Sequence, residues 1–126
     1  MTARLEHANY TVADPHKTAQ WMCDVFGWHI RWSGDAIQNG HTVHVGDDTS
    51  YVALYTPGAP HQASDDNYAT IGGLNHIAVV TDDIAAMEDK VKAAGFTPKN
   101  HADYEPGLRF YFHDADGIEY EVVSYS

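Results

Sequence analysis

One order of elements is written twice along this chain, and a repeated unit of strand, helix and three strands leaves few ways to build a core. In the first copy Arg4 to Val12 is rich in β-formers. Asp14-Pro15 then supplies an N-cap with proline at the first helical position, and Ala19, Met22, Cys23 and Phe26 recur at helical spacing before Gly27. Trp28 to Trp32, Thr42 to Val45 and Tyr51 to Tyr55 read as strands, with turns at Ser33-Gly34-Asp35 and Gly46-Asp47-Asp48. In the second copy Leu74 to Thr81 reads as a strand and Asp82-Asp83 as a cap. Ile84, Met87, Val91 and Ala94 line one helix face that ends at Gly95, and three strands follow near Thr97 to His101, Leu108 to His113 and Ile118 to Tyr125. Residues 57–72 between the copies are mostly small and polar, with neither period, and are too long for a tight loop. The expected organisation is one domain over residues 1–126, made of repeats 1–56 and 73–126 with connector 57–72.

The copies align residue against residue. Leu5-Glu6-His7 answers Leu74-Asn75-His76, Asp14 answers Asp83, and Phe26-Gly27-Trp28 answers Ala94-Gly95-Phe96, with an offset of 69 at the first strand and 68 after the helix. At that offset Glu121 answers Ala53. The repeat therefore carries two histidines but one carboxylate. Glu121 interrupts an otherwise apolar strand, and an ionised carboxylate buried without a partner costs several kcal/mol, so either it faces solvent or a cation faces it.

The fold class is α+β: two βαβββ repeats whose curved sheets form a cup-like half-barrel with the helices outside, because each sheet has a helix on one face and needs cover for the other. With both first strands at the centre of the cup, His7 and His76 point to one interior and Glu121 completes a face of two imidazoles and one carboxylate. Such a face binds a divalent ion and leaves positions open for water, substrate or dioxygen.

On these residues the chain resembles the vicinal oxygen chelate superfamily, which includes glyoxalases, bleomycin-resistance proteins and extradiol dioxygenases. The resemblance spans essentially the whole chain. It rests on Leu5-Glu6-His7, on Gly73-Leu74-Asn75-His76-Ile77-Ala78-Val79, and on Asp114-Ala115-Asp116-Gly117-Ile118-Glu119-Tyr120-Glu121, which is similar to the family's Asp-Pro-Asp-Gly turn and terminal glutamate. It implies that His7, His76 and Glu121 are metal ligands for Fe(II), Mn(II), Zn or Ni, and that the ion chelates neighbouring oxygens of a small-molecule substrate.

Departures from the family pattern narrow the chemistry. Glyoxalase-type isomerases take a fourth ligand, a proton-moving glutamate, from the position of Ala53, and a methyl group does neither job. Three ligands are similar to extradiol dioxygenases and to fosfomycin-modifying thiol transferases, and both carry an active-site tyrosine at the position of Tyr111. Tyr111, Asp114, Gly117 and Glu121 match the dioxygenase ending, with Ala115 in place of proline. His101 lies about one residue out of register with the histidine expected upstream. Against the thiol-transferase pattern, Asn9 replaces a threonine and the chain stops before a C-terminal arginine. The resemblance thus implies chemistry most like an extradiol-type dioxygenase, with glyoxalase-type, thiol-transferase and metal-free drug-binding functions as alternatives.

Other residues divide by strand alternation. Tyr111 is assigned as catalytic and Arg109, His44, His101 and Asn9 as substrate-binding, while packing across the sheet is the simpler role for the tyrosine and covering of a sheet edge for the arginine. Arg109, Tyr111 and His113 share a face. His41 and His44, three apart in one strand, point to opposite sides. His16 and His61 read as solvated, Trp28, Trp32 and Tyr104 as core or cavity wall, and Cys23 as an inert member of the helix stripe.

A net charge of −11, from 18 acidic against 7 basic residues, repels phosphate backbones and anionic membrane surfaces, so nucleic acid and membrane are not expected partners. The single cysteine and the absence of a long apolar run fit a cytoplasmic protein. The length of the connector permits exchange of repeats between chains, and a homodimer is expected.

Overall fold

Aspartate caps and glycine stops place both helices where the repeat puts them. A computed structural model describes residues 1–62, 67–104 and 107–125, with Tyr104 described by its backbone alone, so the reading of the Tyr104 side chain and residues 63–66 of the connector lie outside the described residues. The chain divides into two compact units, Met1–Gln62 and Ala63–Ser126.

The first unit runs β1 (His7–Thr11), α1 (Pro15–Phe26), β2 (His29–Ala36), β3 (Gly40–Gly46) and β4 (Tyr51–Thr56). Its sheet has the order β1-β4-β3-β2, with β1 parallel to β4 and the other pairs antiparallel. Asp14 accepts a hydrogen bond from Lys17 N at the start of α1, and the left-handed Gly27 ends it by donating to Cys23 O. Ala19, Met22 and Val25 on α1 are buried with Val43, Val45 and Leu54 of the sheet. Tyr10, Val52 and Leu54 therefore face the helix, while His7, Asn9, Tyr51 and Ala53 project from the other side. Cys23 is half-buried on α1, and burial pushes its thiol pKa up, which disfavours the thiolate.

The second unit repeats the plan with β5 (Ile77–Val80), α2 (Ile84–Ala93), β6 (Lys99–Tyr104), β7 (Gly107–His113) and β8 (Glu119–Ser124), ordered β5-β8-β7-β6. Asp83 caps α2 by accepting from Ala86 N, the counterpart of the Asp14 cap. Val91, Phe110, Phe112, Tyr120 and Val122 are fully buried, and Phe112 stacks between Phe96 and Tyr120. The architecture is α+β with two βαβββ units, as the repeat requires.

Sheet register confirms the alignment of the copies. Asn9 pairs with Ala53 and Ala53 with His44; Ala78 pairs with Glu121 and Glu121 with Tyr111. Ala53 and Glu121 therefore hold equivalent positions, as do His44 and Tyr111.

One turn lies elsewhere than its residue types indicate. Ser33-Gly34-Asp35 continues β2, and the chain reverses at Ile37 to Asn39, where Gln38 and Asn39 take positive φ values of 57° and 55°. Gly34 serves as space: a Cβ there would lie 2.7 Å from the Trp32 indole.

Candidate functional site

The turn that delivers Glu121 is built by Asp114. Its Oδ1 accepts from Asp116 N at 2.9 Å and Ile118 N at 3.0 Å, and its Oδ2 accepts from Tyr120 Oη at 3.2 Å. Gly117, at φ 80°, donates to Asp114 O and lets the chain reverse. Asp47 makes the matching turn in the first unit, accepting from Thr49 N and Ser50 N. The two carboxyls nevertheless shift in opposite directions. The backbone N–H groups of Ser50 and Thr49 hold exposed Asp47 below the usual carboxylate range, whereas burial raises Asp114 despite similar bonds.

Beyond that turn, alternation sets Glu119 and Glu121 on the face of β8 away from Phe112 and Tyr120, opposite His113 and Tyr111 of β7. Glu121 is 7 % exposed and has two cationic or potentially cationic neighbours. His76 Nε2 lies 3.0 Å from its Oε1, and Arg109 Nη1 donates to its Oε2 at 2.9 Å. Tyr111, the register partner of Glu121, meets the His76 ring edge-on at 6.1 Å.

Glu119 extends this cluster. It lies 3.6 Å from His113 Nε2 and 4.0 Å from His76 Nδ1, and it accepts a hydrogen bond from Tyr68 Oη, which raises the phenol pKa. Glu119, His113 and Tyr68 are thus further members of the site. Alternation alone signals the first two, since residues 119 and 121, like 111 and 113, share a face. Tyr68 comes from the connector, where no period points to it.

In the first unit His7 is stacked on Tyr51 at 4.9 Å, and Tyr51 on His44 at 4.7 Å. Trp32 tilts against His44, and Arg31 lies 4.6 Å from the Tyr51 ring centroid. Desolvation first, then the neighbouring His7 and Arg31, lower the His44 pKa and favour its neutral form. Asn9 sits exposed on β1, in the same row as Ala53 and His44.

The two repeat histidines are held alike. His7 Nδ1 lies 2.8 Å from Glu6 Oε1, and His76 Nδ1 lies 2.5 Å from Asn75 Oδ1. A hydrogen bond donated from Nδ1 to an oxygen lets Nε2 present its lone pair to a cation, and at His76 that nitrogen faces Glu121 Oε1 at 3.0 Å, a pair that needs a proton or a cation between them. Bonding to His7 also holds the Glu6 carboxyl below the usual range.

His101 does not join this cluster. A register irregularity between Lys99 and Ala102 turns it toward α2, where Nε2 meets Glu88 at 2.9 Å and the ring stacks on Phe110. His41 and His44 face opposite sides of β3, as their spacing requires: His41 meets His16, and His44 meets Tyr51. Among the described residues no three His, Cys, Asp or Glu side chains are grouped so as to hold an ion, and no helix is long and apolar enough to cross a membrane.

The sequence profile described as Glyoxalase/Bleomycin resistance protein/Dioxygenase superfamily matches residues 4–122. No curated protein matches the chain in sequence. Among solved structures, a glyoxylase/bleomycin resistance protein/dioxygenase domain from Frankia sp. EAN1pec has a TM-score of 0.81 at 19% identity, with 98% of each chain covered. A mutant glyoxalase I from Zea mays gives 0.76 at 19% identity, covering 95% of this chain and 44% of the maize one. The fosfomycin resistance protein FosX from Mesorhizobium loti gives 0.74 at 20% identity, covering 98% and 92%. At these identities the likeness concerns the fold.

Proposed function

This chain belongs to the glyoxalase/bleomycin-resistance/dioxygenase superfamily, and from that premise we propose that it is a divalent-metal-dependent enzyme acting on a small molecule with neighbouring oxygens, with chemistry most like an extradiol-type dioxygenase. The observation that carries the proposal is the 3.0 Å approach of His76 Nε2 to Glu121 Oε1. An imidazole nitrogen and a carboxylate oxygen at that separation are a pair of donors that one cation can take together. His7 is the third ligand by repeat equivalence, with its Nδ1 held by Glu6 as His76 Nδ1 is held by Asn75. The donor set of two nitrogens and one oxygen fits Fe(II), Mn(II), Zn or Ni.

A bound divalent ion supplies Lewis-acid stabilisation of charge that develops on substrate oxygen. The chain's own residues do the rest. Arg109 occupies Glu121 Oε2 and leaves Oε1 for coordination. Tyr111 donates a hydrogen bond to the same substrate oxygen. Neutral His44, at the position equivalent to Tyr111, accepts a proton from a substrate hydroxyl. Asn9 hydrogen-bonds substrate from β1. Ala53, 1 % exposed, offers neither a ligand nor a base where glyoxalase-type isomerases need both.

The metal content of untagged protein purified without chelator tests the site. His76→Ala and Glu121→Ala are expected to lose an equivalent of metal that the parent holds, and unchanged content in both sinks the triad. Oxygen uptake with catechols, read beside methylglyoxal-glutathione and thiol-fosfomycin assays, separates the enzyme classes.

One observation favours a second reading. Arg109 already compensates the buried charge of Glu121, so the carboxylate has a cation without a metal. Drug binding with no turnover and no metal would then describe the protein. We also propose a homodimer in the cytoplasm, and sedimentation showing only the 13.9 kDa species at micromolar concentration rules out the dimer.

A further inference from the structure

His16 and His41 lie outside the proposed catalytic face. His16 sits in the first turn of α1, and His41 sits on the helix-facing side of β3. Their Nε2 atoms are 2.9 Å apart, and their ring centroids are 4.9 Å apart with planes tilted by 32°. Between two imidazoles such an approach requires one ring to donate from Nε2 and the other to accept. The structure thus brings two borderline-soft imidazole nitrogens together, on an exposed residue and a half-buried one that solvent reaches.

We propose that His16 and His41 form a second metal site, a two-imidazole surface site for a borderline divalent ion such as Zn(II), Ni(II) or Cu(II). Geometry supports it. Zn–N bonds of about 2.0–2.1 Å at a tetrahedral angle place the two nitrogens about 3.3 Å apart. The pair stands a few tenths of an ångström closer than that, so a small rotation of either ring suffices. Proton balance is equally simple. The ring that donates moves its proton from Nε2 to Nδ1, both rings stay neutral, and none is released.

Water completes the coordination, since among the described residues no third His, Cys, Asp or Glu is grouped with the pair. Register does offer one: Asp35 pairs with His41 across β2 and β3, so its exposed carboxylate projects on the same face of the edge strand. A net charge of −11 draws divalent cations toward the surface. Ordinary oxygen-seeking ions such as Mg(II) and Ca(II) are not candidates, because they prefer oxygen shells.

Calorimetric titration of the untagged full chain with ZnCl2 tests the site independently of the catalytic reading. His16→Gln and His41→Gln are expected to lose the same zinc equivalent, while His76→Ala keeps it. A Cu(II) electron-spin-resonance spectrum taken on His76→Ala should show coupling to imidazole nitrogen that His16→Gln removes. Far-UV circular dichroism of both variants should match the parent, because neither side chain is in the buried core. Zinc isotherms of His16→Gln and His41→Gln that superimpose on the parent overturn the proposal, as does loss in one variant without the other. Loss of all zinc in His76→Ala alone overturns it as well, and assigns the ion to the catalytic face.

Discussion

Arg109 Nη1 lies 2.9 Å from Glu121 Oε2, and both side chains are about nine-tenths buried, at 11% and 9% exposure. The charge that looked misplaced in an apolar strand therefore has an internal counterion. Removing one member of such a pair strands the other, at a cost of about 3–5 kcal/mol. Arg109→Met is expected to lower unfolding free energy by that order in urea titrations, while Arg109→Met combined with Glu121→Leu recovers much of it. A single variant within about 0.5 kcal/mol of the parent would show the pair to be dispensable.

Asp114 gives a pH signature. Burial raises its folded pKa above its ordinary value of 3.8, so the folded state binds the proton more tightly than the unfolded one. The cost of holding the ionised form is present in full above the raised folded value. It fades as pH falls through that value toward 3.8. Relative to Asp114→Asn, the parent should gain stability as pH is lowered across this window, and denaturation curves whose difference is flat from pH 4 to 7 would contradict it.

Two glycines should respond unequally to alanine. At Gly46 a Cβ meets the backbone of Ser50 and lies 2.5 Å from Tyr51 Cα, atoms that cannot move aside. Overpacking of this kind costs about 1–3 kcal/mol. At Gly34 the obstacle is the far edge of the Trp32 indole, a residue 53% exposed. Gly34→Ala should shift tryptophan emission while changing the melting temperature much less than Gly46→Ala, and the reverse order would refute the assignment.

In the proposed metal site Glu6 and Asn75 act through the histidines beside them. Loss of an oxygen that fixes a ligating imidazole costs roughly 10–100-fold in metal affinity. Glu6→Ala and Asn75→Ala are expected to weaken metal binding by that order with the fold unchanged, and Asn75→Asp to restore it. Affinities of Glu6→Ala and Asn75→Ala equal to that of the parent would show that the Nδ1 contacts do not orient the rings.

Much of the scaffold was legible because backbone requirements leave residue signatures. Asp14 and Asp83 as caps, Gly27 as a stop and the Asp114 turn each do the task their types announce. Period-two alternation likewise placed Arg109 with Tyr111, and His41 opposite to His44. What escaped was of two kinds. Gly34 carries the composition of a turn but makes room for an indole, a demand that comes from a side chain folding back from two residues earlier. His101 lost its side of the sheet to a one-residue irregularity, which alternation cannot anticipate. The partner of Glu121 was hidden differently: an arginine two residues before the register partner Tyr111 reaches diagonally, and length and charge permit that contact without requiring it.

The equivalent rows Asn9-Ala53-His44 and Ala78-Glu121-Tyr111 carry a lesson about how a duplicated chain divides its labour. The helix-capping Asp14 and Asp83 are alike in both halves, as are His7 and His76, whereas the side chains of these two rows differ. Each half is thus a natural control for the other, and transplanting one row into its twin is the most direct way to ask how much reactivity resides in three side chains rather than in the scaffold that presents them.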